Sequence, residues 1–63
     1  MNIAEMITQI RSQMGISQTN LANRLRVSRF TISRWERGER KPHKYLHREV
    51  VRFYTKLQNS LND

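Results

Sequence analysis

The chain has 63 residues, enough for one domain with a small core. It carries a formal net charge of +7 and no cysteine, which excludes a disulfide framework and a thiolate metal site. No apolar run approaches the roughly 20 residues of a membrane-spanning helix, and the amphipathic stretch Met1–Met14 lacks the basic start of a secretion signal.

With two Gly, one Pro and no alternating apolar pattern, the chain is expected to be all-α. Asn2 can cap a first helix, with Glu5 as the reciprocal member of a capping box. Ile3, Met6, Ile7, Ile10 and Met14 repeat at three and four residues and form one apolar stripe. Gly15 ends this helix, and Ile16 can fold back onto it.

Gln18–Gly38 then predicts two short helices joined by a tight turn. Ser17 caps the first of them, in which Leu21, Ala22 and Leu25 fall at helical spacing. Ala22 stands where the two helices cross most closely, so its small side chain is needed there, and Ile32 can close onto it. Ser28 caps the second helix, Ile32 and Trp35 turn inward, and Gly38 follows where a helix end tolerates positive φ. The outer face of this second helix is Arg29, Phe30, Ser33, Arg34 and Arg37. An apolar inner face with an arginine-rich outer one suits the DNA major groove.

Pro42 can start a further helix in its first turn. From His43 to Leu61 no breaker occurs, and Leu46, Val50, Phe53, Leu57 and Leu61 recur at three and four residues. One long helix or a bent one fits this stretch. Tyr45, Leu46 and Val50 are expected to close the core. Phe53, Tyr54, Leu57 and Leu61 exceed what so short a chain can cover, which suggests a homodimer contact. Arg52 and Lys56 flank that patch, so the dimer is expected to be weak and to strengthen on DNA. Asn59–Asp63 are expected to fray.

The charge is unevenly placed. Arg24–Lys56 holds eleven Lys and Arg against three Glu, while the remaining residues hold Arg11 against Glu5 and Asp63. A polyanionic partner follows naturally.

The stretch Gln18–Gly38 resembles the helix-turn-helix of the Cro and lambda-repressor-like (XRE) family. Gln18, Leu21, Ala22, Val27, Ser28, Ile32, Trp35, Glu36 and Gly38 occupy positions that the family pattern expects, and the likeness extends over Ile7–Leu57. The resemblance implies a compact four- or five-helix lambda-repressor-like domain that binds double-stranded operator DNA. It implies an ion pair between Arg11 and Glu36, and backbone contacts from the loop that holds Arg37, Arg40, Lys41 and Lys44. It also favours Gln18 as a phosphate anchor over an ordinary helix-start glutamine. One departure stands out: Arg26 occupies the turn where the family usually has Gly, so the turn either differs or accepts strain.

On the reading helix, Arg29 and Arg34 can each offer a two-donor fork to guanine, or touch phosphate instead. Phe30 can meet a thymine methyl or pack back onto the preceding helix. Ser33 is a candidate for a base or phosphate contact, and Ser28 and Thr31 for the backbone. Arg24 can reach the backbone or remain solvated.

His43 and His47 have zinc-compatible spacing, but no further His or Cys completes a site, so neither metal nor cofactor is expected. No Gly-rich phosphate loop or nucleophile–base pair is present, so no enzyme is expected. Two readings of function stand beside each other. One is a sequence-specific repressor at a pseudopalindromic operator, autoregulatory and resident on the bacterial nucleoid in the cytoplasm. The other is an antitoxin-like module that sequesters a protein partner through its C-terminal helix. A basic amphipathic helix at Lys44–Lys56 that binds a membrane surface or a calmodulin-like partner is a third.

Overall fold

The computed structural model describes residues 1–61, and of Leu61 the helical backbone alone. Four helices follow one another: α1 Ile3–Met14, α2 Gln18–Leu25, α3 Arg29–Glu36 and α4 Lys44–Leu61. Among the described residues there is no strand.

Local chemistry starts each of the first three helices. The Glu5 N–H donates to Asn2 Oδ1 at 2.8 Å and the Asn2 N–H to Glu5 Oε1 at 3.4 Å, so the expected capping box closes. Ser17 Oγ accepts from the Asn20 N–H at 3.0 Å, and Ser28 Oγ from the Thr31 N–H at 3.1 Å.

The same three helices also stop by one device. A left-handed residue follows each, and the next N–H reaches back to satisfy an orphan carbonyl of the last turn. These bonds run from Ile16 to Arg11 O at 3.1 Å, from Val27 to Ala22 O at 3.0 Å and from Glu39 to Arg34 O at 2.9 Å. The left-handed residues are Gly15, Arg26 and Gly38, with φ of 65°, 60° and 74°. Arg26 thus performs the glycine task with a full side chain, and the helix-turn-helix keeps its geometry at a cost in backbone strain.

The core takes residues from every helix: Ile7 and Ile10 from α1, Leu21 and Ala22 from α2, Ile32 and Trp35 from α3, and Val50 from α4. α1 lies against both α3 and α4, and α2 against α3. A shell of half-buried side chains surrounds this centre, including Met6, Met14, Ile16, Leu25, Val27 and Leu46.

Several expectations for the C-terminal half need correction. α4 begins at Lys44, so Pro42 lies before the helix and not in its first turn. The His43 carbonyl accepts from the His47 N–H at 2.8 Å and opens the helix instead. Of the two shapes open for this stretch the single helix is found: α4 runs unbroken through Leu61, which makes four helices among the described residues. Tyr45 does not close the core: it is 64% exposed, because Leu46 and Val50 take the inward face and leave their neighbour outside.

Phe53, Tyr54 and Leu57 are less free than their count in the sequence suggests. All three are half-buried against the core, because the far half of α4 lies along α1. The Tyr54 hydroxyl donates to Gln9 Oε1 at 3.2 Å, and the Gln58 amide to Gln13 Oε1 at 3.0 Å. The side chain of Leu61 lies outside the described residues.

Candidate nucleic-acid interface

α3 is held from behind and presented from the front. Ile32 is fully buried and Trp35 nearly so. Their positions on a 3.6-residue turn force Arg29, Phe30, Ser33, Arg34 and Arg37 onto the opposite arc. Of these, Ser33 is half-buried and the other four are exposed. Phe30 is not packed back onto α2: it is 63% exposed, and the Arg29 guanidinium carbon stands 5.0 Å from its ring centre.

The register of α3 is fixed by an ion pair that crosses the fold. Arg11 Nη1 on α1 donates to both carboxylate oxygens of Glu36, at 2.9 and 2.8 Å, and Arg11 Nε donates to the Ile16 carbonyl at 3.3 Å. The two side chains are 30% and 12% exposed. Both ends are therefore partly desolvated, and the pair acts more as a positional latch than as a large source of stability. The Gln18 amide joins this latch and donates to Glu36 Oε1 at 2.7 Å. The resemblance to the XRE family carries the Arg11–Glu36 pair, whereas nothing in the sequence points to the third member. One amide N–H of Gln18 is thereby committed within the protein, and the other makes no hydrogen bond among the described residues.

Ser28 and Thr31 share a hydrogen bond between their hydroxyls, 2.9 Å apart, while Ser28 also caps α3. Arg37 is neutralised by Glu39, with Nε 2.7 Å from Oε2, so this cation contributes less field than the sequence suggests. Arg24 donates to Asn20 Oδ1 at 2.9 Å, one turn back along α2. In contrast, Arg29, Arg34, Arg40, Lys41 and Lys44 form no ion pair among the described residues.

The segment between α3 and α4 folds back beside the reading helix. Thr31, Arg34, Arg40, Lys41 and His43 line one cleft of about 290 Å³, floored by Trp35 and Leu46. Three cations from two segments thus converge beside α3, and uncompensated cations in a shallow site attract phosphate. No helix among the described residues is long and apolar enough to cross a membrane.

A family model described as helix-turn-helix matches residues 7–44, more than half of the chain. No curated protein and no solved structure matches it.

Proposed function

Since the chain belongs to the Cro and lambda-repressor-like (XRE) helix-turn-helix family of DNA-binding regulators, we propose that it is a repressor that reads a pseudopalindromic operator through the major groove. That family is a regulatory one and not a family of enzymes. The observation that carries the reading is the front of α3, where Arg29 and Arg34 have no carboxylate partner and flank an exposed Phe30. The exposed ring is poorly solvated by water, and the two free guanidinium forks are suited to base edges.

In this reading Arg29, Phe30, Ser33 and Arg34 meet bases. Gln18, Ser28, Thr31, Arg37, Arg40, Lys41 and Lys44 meet the sugar–phosphate backbone and hold the helix in register. Binding occludes a promoter, which can be the protein's own, on the bacterial nucleoid. One reading helix spans too few base pairs to specify a site, and two copies about one DNA turn apart supply the rest. The twofold contact lies on the outer edge of α4 at Phe53 and Leu57, with Leu61 beyond. Phe53 and Leu57 line an open cleft there with Met14, while Tyr54 is turned toward α1. Arg24, Arg52 and Lys56 border the same cleft against Glu49 alone, which pairs with Arg52, so the dimer is weak in solution and completed on DNA.

Selection of bound duplex from a random pool tests this reading. A palindromic consensus with half-sites about 10 base pairs apart is expected. A pool that stays random after repeated rounds, with no band resistant to competitor DNA, overturns it.

A further inference from the structure

We propose that Arg29 and Phe30 form a single reading unit for a guanine beside a pyrimidine that carries a C5-methyl group. The inference rests on the base-reading role of α3 and names the chemistry it detects.

Four observations support it. Arg29 and Phe30 are the first two residues of α3, the end that enters deepest in a groove-reading helix. The ring stays 63% exposed although Arg29 stands beside it, so the pair leaves apolar surface uncovered. The nearest acidic side chains in sequence, Glu36 and Glu39, are already bound to Arg11 and Arg37. Finally, the Arg29 guanidinium makes no ion pair or hydrogen bond among the described residues, so its donors stay free while its carbon stands over the ring.

The pair is wide enough to span two neighbouring bases. Consecutive bases on a strand are about 3.4 Å apart along the axis, and the guanidinium carbon lies 5.0 Å from the ring centre. With the Arg29 fork on guanine O6 and N7, the adjacent ring reaches the next step of the groove wall. There the only apolar feature that a base pair shows is a pyrimidine C5-methyl. Thymine carries it and 5-methylcytosine carries it, whereas uracil and cytosine do not. Phe30 has no hydrogen-bonding edge and contributes through that methyl or not at all. The ring also limits where Arg29 can swing, so the two contacts are coupled.

The test uses the full chain and the consensus duplex from selection. Each thymine adjacent to a guanine is replaced in turn by deoxyuridine, which removes only the methyl. At one step per half-site the dissociation constant should rise about fourfold, the worth of one buried methyl. That penalty should vanish in Phe30→Ala and shrink in Arg29→Ala. With cytosine at the same position binding should weaken, and 5-methylcytosine should restore part of the loss. Phe30 is exposed, so Phe30→Ala should keep the parent's helical signal and melting temperature. Deoxyuridine that is neutral at every such step overturns the inference while the consensus stands. So does a penalty that persists unchanged in Phe30→Ala, a consensus without a thymine–guanine step, or 5-methylcytosine that binds no better than cytosine. A pool with no consensus removes this inference and the repressor reading together.

Discussion

Arg26→Gly should make the protein more stable, although it deletes a side chain. Arg26 sits at φ 60° and ψ 44° in the turn between α2 and α3. Its side chain is exposed and makes neither an ion pair nor a hydrogen bond among the described residues. The substitution therefore probes the backbone almost alone. A left-handed conformation costs an L-residue about 1–2 kcal/mol, and the freer unfolded chain of glycine offsets about 0.5–1 of that. The net gain is about 0.5–1 kcal/mol, or about 2–8 °C in melting temperature for a domain of this size. Urea and thermal unfolding followed by circular dichroism measure it, with two controls. Arg26→Ala removes the charge and keeps the strain, so it should not gain. Arg26→Asn removes the charge too, tolerates the left-handed region, and should fall between. If Arg26→Gly is no more stable than Arg26→Ala, the strain at this turn is not what limits stability.

Glu36→Ala should destabilise the fold by about 1–3 kcal/mol, since it leaves the half-buried Arg11 and the Gln18 amide without their acceptor. Glu39→Ala should cost under about 0.5 kcal/mol, because its pair with Arg37 is exposed, and chemical denaturation of the two variants side by side checks the contrast. Arg34→Ala should weaken specific binding by about 1–3 kcal/mol and relax preference at one base pair, whereas Lys44→Ala should weaken all sequences alike. Competition between operator and random duplex separates the two, and equal losses on both would assign Arg34 to phosphate, beside Arg40 and Lys41 in their shared cleft. With about four to six phosphates neutralised per protomer, the binding constant should fall with a log–log salt slope of about 0.9 for each. A slope near zero in fluorescence anisotropy titrations would remove the electrostatic picture. Leu57→Glu should impair operator binding, and sedimentation on and off DNA should show lost dimer. Because Leu57 also packs on the core, its unfolding curve must be read alongside, and a folded variant that binds the palindrome as the parent does would move the interface elsewhere.

Much of this protein is written in short-range chemistry. Capping by Asn2, Ser17 and Ser28, the apolar stripe of α1 and the inward Ile32 and Trp35 involve residues within a turn or two of each other. Periodicity and cap preference report such relations directly, and with them the arc that carries Arg29, Phe30 and Arg34. The family resemblance marks Arg26 as the residue standing where Gly is usual, but only the structure decides that the turn keeps its shape and accepts the strain. What local pattern leaves open is which side chains find partners far along the chain. Gln18 joins Glu36 only because α2 packs against α3, and Tyr54 reaches Gln9 only because α4 packs against α1. The same packing decides that α4 lays Phe53, Tyr54 and Leu57 along α1 while it leaves Tyr45 in solvent. A helical repeat names the apolar face but not the width of it that a neighbour covers. That width depends on the angle and distance at which α1 and α4 settle, and no single segment encodes either.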